Sequence, residues 1–179
     1  MFCSGCGARL DAVPPVTCRH CGIPHWRNPK PCAGALVTHE GCLLLVRRAK
    51  DPWKGYWDVP GGFCEPHEHP MLTAEREVEE ESGVRIRVTG ILGVWLDEYH
   101  EHEAREQPKL TLNVYYHAIP DGPANHRRDD GETLAARWFR LDDLPEDLAF
   151  PGHSKALLEA WRQAVANEDT VSPLRDRPR

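Results

Sequence analysis

Three glutamates in an acidic stretch have the residue type and spacing that could bind a metal. Glu77, Glu80 and Glu81 stand three and four residues apart, so a helix would project their carboxylates from one patch. Like charges at this spacing destabilise a helix by roughly 0.2–0.5 kcal/mol per pair, which predicts a compensating charge. Mg²⁺ and Mn²⁺ prefer carboxylate oxygens and commonly bridge to substrate phosphates. The pattern therefore indicates a divalent-metal site, and the alternative is a solvated acidic helix face.

The residues around the glutamates predict the helix that must position them. Pro70 fits the first helical position, and Gly83 fits just beyond the last turn. Met71, Ala74 and Val78 recur at three and four residues and form one narrow apolar stripe to bury. Ahead of the helix we expect a glycine loop, whose backbone carbonyls can approach an ion closely.

Fixed residues on both sides of the helix complete a longer pattern that an acidic face alone does not explain. From Gly62 the chain reaches Glu68, then Arg76-Glu77-Val78, Glu80-Glu81 and Gly83-Val84. This complete pattern resembles the signature of the Nudix hydrolases. The resemblance implies an α/β Nudix fold, in which a mixed, curved β-sheet lies between α-helices. It also implies an enzyme that hydrolyses phosphoanhydrides with Mg²⁺ or Mn²⁺.

The same resemblance implies a role for each residue of the site. The implied metal ligands are the carboxylates of Glu77, Glu80 and Glu81 and the main-chain carbonyl of Gly61. Arg76 is expected to orient the carboxylates as part of the catalytic group, and Glu68 to support them. Bound cations would neutralise the diphosphate and lower the pKa of a water molecule that attacks phosphorus.

One further acidic residue matches the family by position alone. Glu132 precedes Trp138-Phe139 on a predicted strand, where Nudix hydrolases often carry an extra metal ligand or a general base. The polar segment 97–107 also contains two histidines among glutamates. That segment has two interpretations, a second metal site or a solvated loop, and its spacing favours the loop.

Residues 1–28 contain a second group of metal-binding character. Two C-x-x-C-G knuckles lie eleven residues apart, and they contribute Cys3, Cys6, Cys18 and Cys21. Together they supply four tetrahedral ligands, and the segment has little else that could form a core. We therefore predict a zinc ribbon with a structural Zn²⁺. The alternatives are two disulfides or a redox dithiol, which a reducing cytoplasm disfavours.

Composition limits the classes of protein that this chain can be. It has 179 residues, a hydrophobic fraction of 40%, a formal net charge of −6 and seven cysteines. No apolar run approaches the roughly 18 residues that a membrane span needs, and the N-terminus shows no secretory signal. We expect a cytoplasmic protein with no membrane association. Its negative charge disfavours nucleic acid as a partner.

These patterns predict three segments: a zinc ribbon at 1–28, a Nudix domain at 29–166 and a disordered tail at 167–179. In the middle segment we expect a hairpin of Cys32–Thr38 and Cys42–Val46, in which Arg47 and Arg48 either reach a phosphate or cap the sheet. The other predicted strands are Trp57–Val59, Arg85–Leu96, Leu110–Ile119 and one through Trp138-Phe139. A last helix is expected at about His153–Ala166, with an apolar stripe that covers the sheet and consists of Ala156, Leu157, Ala160, Trp161 and Ala164.

A ribbon ahead of a Nudix domain resembles the NADH pyrophosphatases and related ADP-ribose or FAD pyrophosphatases. The resemblance implies a small-molecule nucleotide substrate, cleavage within the diphosphate of an ADP-containing compound, release of AMP, and a homodimer. The Ser-Gln-Pro-Trp-type signature of the NADH group is missing, which weakens NADH in particular. Trp53, Tyr56 and Trp95 could stack on an adenine, or they could be packing residues. The alternatives are a nucleoside triphosphate pyrophosphohydrolase that cleanses the nucleotide pool, or a non-catalytic regulator that binds nucleotides or nucleic acid.

Overall fold

The computed structural model describes residues 1–99, 109–124, 131, 133–140 and 142–166. In these ranges the strands are β1 Val16–Thr17, β2 Pro24–His25, β3 Lys30–His39, β4 Cys42–Arg48, β5 Trp57–Asp58, β6 Gly61–Phe63, β7 Ile86–Tyr99, β8 Lys109–Pro120 and β9 Thr133–Arg140. The helices are α1 Pro70–Ser82 and α2 Pro151–Ala166. In the part of the chain that is described, neither helix is long and apolar enough to cross a membrane.

Strand β3 lies at the centre of a mixed sheet. It pairs in parallel with β8, which pairs in turn antiparallel with β7. The predicted hairpin of β3 and β4 is present, but its two strands pair only beside the turn, at Thr38 with Leu43 and His39 with Cys42. Further along, β6 occupies that edge of β3. Strand β4 pairs instead with β5 and β9, so the two strands of one hairpin reach different parts of the sheet.

Both faces of the sheet are covered, which explains the nearly continuous apolar runs of β3 and β4. Ala35 and Val37 of β3 pack with Val78 of α1 in one core cluster. The alternate residue Leu36 packs with Trp161 of α2 in the other, because successive strand residues point to opposite faces. On α2 the predicted apolar stripe is confirmed at its largest residues, Leu157 and Trp161, which are buried. Ala156 is exposed instead, and Leu158 takes its place in the core.

Helix α1 has the ends and the buried face that the sequence predicts. Pro70 is its first residue, and the preceding His69 is the N-cap, whose Nδ1 accepts a hydrogen bond from the Met71 amide. Gly83 follows the last turn with a φ of 73°, a left-handed conformation that glycine adopts without strain. Its amide donates to the Glu79 carbonyl over 2.7 Å. The predicted stripe of Met71, Ala74 and Val78 is buried.

Two further local expectations were wrong. Gly61 and Gly62 do not form a loop but lie in β6, where they pair with Gly34 and Ala33 of β3. Residues 97–99 belong to β7 rather than to a solvated loop. Helix α2, expected at about His153–Ala166, begins at Pro151 and ends at Ala166, close to the prediction.

Other expectations lie outside the described residues: Glu132, residues 100–107 of the polar segment, and the tail 167–179. The division into segments 1–28, 29–166 and 167–179 stays a prediction. Within the first segment, β1 and β2 form a separate two-stranded sheet. Cys3, Leu10 and Cys18 make a small buried cluster there.

Candidate active site

One guanidinium group holds together the acidic side chains of α1. Arg76 donates from Nε and Nη2 to the two carboxylate oxygens of Glu68, over 2.9 and 3.0 Å. Its Nη1 donates to Glu77 and to Glu80, each over 2.8 Å, and Nη2 also reaches the Phe63 carbonyl. Bidentate pairing of this kind fixes geometry as well as charge. The structure therefore places Arg76 where it can orient Glu77 and Glu80.

Glu68 is held on its other side by the chain itself. Its Oε2 accepts hydrogen bonds from the Thr73 hydroxyl at 2.7 Å and from the Glu65 amide at 3.0 Å. The hydrogen bonds from Arg76, helped by those of Thr73 and Glu65, outweigh burial and lower the pKa of Glu68 to about 2. Glu68 is therefore an anchored carboxylate next to Arg76, in keeping with the expected supporting position.

Glu81 and Glu77 lie against the two glycines of β6. Glu81 Oε2 accepts a hydrogen bond from the Gly61 amide at 2.9 Å. Burial raises the pKa of Glu81 well above its ordinary value, and the charges of Glu77 and Asp58 raise it further. A Cβ atom at Gly62 would lie 2.5 Å from Cδ of Glu77, so only glycine permits this approach of the strand to the carboxylate.

The three glutamates of the acidic patch do not share one environment. The side chain of Glu80 is 52% exposed and points to Arg76, whereas that of Glu77 is 14% exposed. Glu77 and Glu81 line the same cleft as Gly61, and Glu80 is not among its lining residues. The structure thus brings two of the expected carboxylates together with Gly61, and it leaves Glu80 on the outer side of Arg76.

The cleft has a volume of about 340 Å³, within the range typical of ligand sites. Its described lining includes four carboxylates and two cations, namely Asp58, Glu77, Glu81, Asp97, Arg48 and Lys50. Because carboxylates outnumber cations here, a bound diphosphate would need added positive charge. Two carboxylates beside a glycine strand supply the oxygen donors that Mg²⁺ and Mn²⁺ prefer. The residues present therefore fit a divalent metal.

Arg48 and Asp58 form a second charged pair in the cleft, one that sequence reasoning left incomplete. Arg48 donates from Nη1 to Asp58 over 3.1 Å and from Nε to the Pro52 carbonyl over 2.9 Å. Burial raises the pKa of Asp58 to about 6, although Arg48 opposes the shift. Arg47 bonds to the Gly55 carbonyl. Of the two arginines, only Arg48 is among the residues that line the cleft. The sequence signal for the Arg48–Asp58 pair was the presence of an aspartate within the apolar run Trp57–Val59.

A further polar group in the cleft was not predicted from sequence. Asp97 Oδ2 accepts a hydrogen bond from Asn113 Nδ2 at 3.1 Å and lies 2.7 Å from His153 Nδ1. That short contact is not an aligned hydrogen bond, and burial lowers the pKa of His153 although the charge of Asp97 opposes the shift. His153 Nε2 lies 3.2 Å from the Tyr115 hydroxyl. The signal for this group was the alternation of Thr111, Asn113 and Tyr115 along β8.

The aromatic side chains considered for base stacking lie in two places. Trp95 packs edge-on against Tyr115 and His153, with ring centroids 5.9 and 6.4 Å apart, in the core cluster under α2. Trp53 and Tyr56 are 37% and 39% exposed and contact each other edge-to-face at 5.2 Å. Packing is therefore the observed role of Trp95, and stacking by Trp53 or Tyr56 stays a prediction.

The four predicted zinc ligands converge on one point in the N-terminal segment. The sulfur atoms of Cys3, Cys6, Cys18 and Cys21 all lie within 4.8 Å of one another. The Cys3–Cys21 and Cys6–Cys18 distances are 3.5 and 3.8 Å, too long for disulfides, and all seven cysteines are free. His25 Nε2 lies 3.2 Å from Cys3 Sγ. A compact set of four thiols fits the tetrahedral chemistry of a structural zinc.

The acidity of these thiols also suits a metal. Burial opposes ionisation of Cys3, but the Cys6 and Gly5 amides and the His25 side chain outweigh it and lower the pKa of Cys3 to about 6. In contrast, the Ile23 amide lowers the pKa of Cys21, but burial and the three other cysteines outweigh it and raise that pKa to about 12. A cation at the centre of the four sulfurs would relieve that repulsion.

Comparison with known protein sequences points to one family. The NUDIX domain model matches residues 28–160. A MutT-like protein of Streptomyces ambofaciens is 31% identical over 117 residues, which is 65% of this chain and 67% of that protein. An ADP-ribose pyrophosphatase of Methanocaldococcus jannaschii is 27% identical over 135 residues, 75% of each chain. The NAD-capped RNA hydrolase NudC of Klebsiella pneumoniae is 27% identical over 80% of this chain, which spans only 53% of its length.

Solved structures agree with the fold and with the family. A NUDIX hydrolase from Nitrosomonas europaea superposes with a TM-score of 0.71 at 25% identity, and the match covers 96% of this chain and 94% of that one. The NUDIX domain of Shewanella oneidensis NrtR, solved with ADP ribose, superposes with a TM-score of 0.61 at 23% identity, over 78% of this chain and 90% of that one. The expected Nudix fold and the expected enzyme class are thereby confirmed. The chain belongs to the Nudix hydrolase family, and it is a pyrophosphohydrolase that acts on phosphorus-containing anhydrides.

Proposed function

We propose that this enzyme hydrolyses the phosphoanhydride of a nucleoside diphosphate linked to a second group, in an ADP-containing compound. ADP-ribose, FAD and NADH represent the class, and AMP is one product. The proposed ligands of the catalytic Mg²⁺ or Mn²⁺ are Glu77, Glu80, Glu81 and the Gly61 carbonyl. Arg76 orients the carboxylates, and Glu132 is the proposed extra ligand or general base.

The observation that carries this proposal is the placement of Glu77 and Glu81 beside Gly61 and Gly62 in one cleft. Arg76 fixes Glu77 from one side, and the Gly61 amide fixes Glu81 from the other. Neither carboxylate needs to reorganise far to accept a cation, and such preorganisation lowers the cost of binding. When bound, the metal supplies charge neutralisation and an activated water.

The cationic side chains of the cleft have a separate part in the proposed function. Arg48 is held by Asp58 at 3.1 Å, so its direction is fixed before any substrate arrives. Guanidinium groups pair well with phosphate oxygens. We propose that Arg48 contacts the diphosphate, which is the first of the two roles that the sequence left open for it.

Support for an ADP-containing substrate comes from the relatives. One curated relative is an ADP-ribose pyrophosphatase, and it matches 75% of this chain and 75% of its own length. The NudC relatives are named for NAD-capped RNA, but this chain spans about half of their length. The name of the MutT-like relative, at 31% identity, states no substrate, so the removal of pyrophosphate from a nucleoside triphosphate stays the second candidate function.

The N-terminal segment has its own proposed role. We propose that residues 1–28 are a ribbon held by one structural Zn²⁺ on Cys3, Cys6, Cys18 and Cys21. The described core of this segment is three residues, two of which are zinc-site cysteines. A segment with so small a core needs a metal to remain folded.

A product assay decides between the two candidate functions. Wild-type enzyme would be incubated with Mg²⁺ or Mn²⁺ and equal concentrations of ADP-ribose, FAD, NADH and nucleoside triphosphates. AMP with a phosphorylated second product supports the proposal. Inorganic pyrophosphate from triphosphates, at much higher kcat/KM, would replace it with the triphosphate function. No product from any compound would contradict both.

A matched pair of variants tests whether the proposed site performs the reaction. Glu81→Gln and Glu79→Gln remove the same charge from the same helix, but Glu79 is exposed and does not line the cleft. We expect activity to fall by about 10²-fold or more in the first variant only. Equal activity of the two variants would contradict the site.

A further inference from the structure

Five polar side chains meet at the α2 side of the cleft and have no part in the proposed metal site. They are Asp97, Thr111, Asn113, Tyr115 and His153, and they are called the polar cluster below. Asp97 of β7 pairs with Thr111 of β8, and the next two members follow at alternate positions of β8. Side chains at such positions share one face of a sheet. His153 reaches the same place from the first turn of α2.

The contacts of the polar cluster fix Asp97 but use only one of its oxygens. Asn113 Nδ2 and His153 Nδ1 both approach Oδ2, at 3.1 and 2.7 Å. Asn113 Nδ2 also reaches the Thr111 hydroxyl at 3.0 Å, and the Tyr115 hydroxyl lies beside the other nitrogen of His153. Among the contacts between described residues, none involves Oδ1 of Asp97. The cluster therefore holds a carboxylate in one orientation with one acceptor oxygen to spare.

Burial shows which members of the polar cluster face the cleft. The His153 side chain is 6% exposed and Asn113 is 8% exposed, whereas the Asp97 side chain is 29% exposed and lines the cleft. The fixing groups are thus buried, and the carboxylate that they fix remains in contact with the cleft. A carboxylate held in this way is suited to binding a ligand group in the cleft, because the residues that support it are fixed by packing.

Charge decides which part of a substrate such a site can take. A carboxylate repels a phosphate and accepts hydrogen bonds from O–H or N–H groups. In a nucleoside diphosphate derivative, the neutral donors are the sugar hydroxyls and the N–H groups of a base. The polar cluster therefore suits one of these groups rather than the diphosphate itself.

We propose that Asp97, positioned by Asn113 and His153, binds a neutral hydrogen-bond donor of the substrate, either sugar hydroxyls or a base N–H. The inference rests on the proposed function only in taking the substrate to be a nucleoside phosphate. It adds a determinant of specificity on the α2 side of the sheet, whereas the proposed metal ligands come from α1 and β6.

The test compares wild type with Asp97→Asn, which keeps the shape and removes the charge of the acceptor. Asp121→Asn is the matched control, because Asp121 is exposed and lies just beyond the far end of β8. On the best substrate of the product assay, we expect Asp97→Asn to raise KM about 10- to 100-fold and to change kcat only a few-fold. The control should match wild type.

Substrate analogues identify the donor. One series lacks the 2′- and 3′-hydroxyls of the nucleoside sugar, and a second lacks the exocyclic amine or ring N–H of the base. For one of the two series, the KM of the wild-type enzyme should rise by the same factor as the substitution Asp97→Asn causes on the parent compound. The variant Asp97→Asn should then have equal KM values for that analogue and for the parent compound. If Asp97→Asn does not fold, the wild-type response decides: equal KM values for parent and both analogues would overturn the proposal.

The remaining outcomes separate this inference from the proposed function. An unchanged KM in folded Asp97→Asn, or a loss in kcat alone, overturns the recognition role while leaving the hydrolase function intact. If wild type cleaves no compound, the proposed function fails, and calorimetric binding of ADP to both proteins still tests Asp97. Equal affinity of ADP for wild type and variant would overturn the inference, and weaker binding to the variant would support it.

Discussion

The main-chain amide of Gly61 donates a hydrogen bond to Oε2 of Glu81 over 2.9 Å, which joins positions 20 residues apart in the chain. The carbonyl of the same glutamate accepts a hydrogen bond from the Thr133 hydroxyl, also over 2.9 Å. Strand β6, the last turn of α1 and the first residue of β9 therefore meet at Glu81. A ligand bound to this carboxylate would therefore contact a residue that connects three elements of the fold.

Neutralising Glu81 should separate activity from stability. For Glu81→Gln we expect kcat with Mg²⁺ to fall by about 10²-fold or more, since loss of a metal ligand should cost at least as much as loss of a supporting residue. Because burial disfavours the ionised form of Glu81, the metal-free variant should be as stable as wild type or more stable. Steady-state kinetics and thermal melting with a chelator provide the two measurements. A variant that is active yet less stable would contradict the assignment.

Replacing Arg76 with lysine should cost both stability and activity. Lysine keeps the charge but cannot donate at once to Glu68, Glu77 and Glu80 as the guanidinium does. We expect a loss of about 1–3 kcal/mol in the free energy of unfolding and a roughly 10- to 100-fold fall in kcat. Urea unfolding and kinetics check this. Arg140→Lys, in an exposed pair with Asp142, should change stability by less than about 0.5 kcal/mol.

The anchored Glu68 should make part of the stability depend on acid pH. Its pKa is about 2 in the folded state, below the ordinary value of 4.5, chiefly because Arg76 donates to the ionised form. A lowered folded-state pKa stabilises the protein above the ordinary value, and this contribution is lost as the pH falls towards 2. Between about pH 5 and pH 2, wild type should lose more unfolding free energy than Glu68→Gln. Parallel curves for the two proteins would refute this.

The cysteine quartet should contain one zinc per chain. Elemental analysis of the purified protein should detect it, and Cys18→Ser should reduce it strongly because a buried ligand is lost. Cys42→Ser is the control, since Cys42 lies on β4 away from the quartet. Zinc-free wild-type protein, or a disulfide within the quartet, would contradict the prediction.

Glu132 stays a prediction that kinetics can test. If it is the general base, Glu132→Gln should lower kcat by about 10²–10⁴-fold. The pH profile of kcat/KM should also lose its acidic limb. Activity within a few-fold of wild type would move the search to segment 97–107, beginning with Glu98, Glu101 and Glu103.

The parts of the site that could be predicted from sequence are those built from local signals. Helix α1 was predicted in full because Pro70, Gly83 and the spacing of the buried stripe all lie within it or at its ends. The four cysteines were predicted because their spacing alone defines two knuckles. Both features depend on residues that are close in the chain, where periodicity and turn chemistry are informative.

The parts that could not be predicted depend on partners far along the chain. Gly61 and Gly62 have low intrinsic preference for strands, and they form β6 only because β3 offers an edge. The end of β7 was interpreted as a loop because Asp97 and Glu98 are polar. Its pairing with β8 and its contact with His153 of α2 become visible only when the chain is folded.

The central strand β3 also fixes the distance between the two ends of the cleft. Cys32 pairs with Phe63 of β6 on one edge and with Asn113 of β8 on the other. Two neighbouring ladders place β6 and β8 about 10 Å apart, and this interval does not change with the length of any surface loop. If the metal site and Asp97 act as proposed, a substrate must span a set length between its reacting phosphate and its donor group. Relatives that keep the pairings of β3 with β6 and with β8 would keep the same distance between the two ends of the cleft, even where the side chains at either end differ.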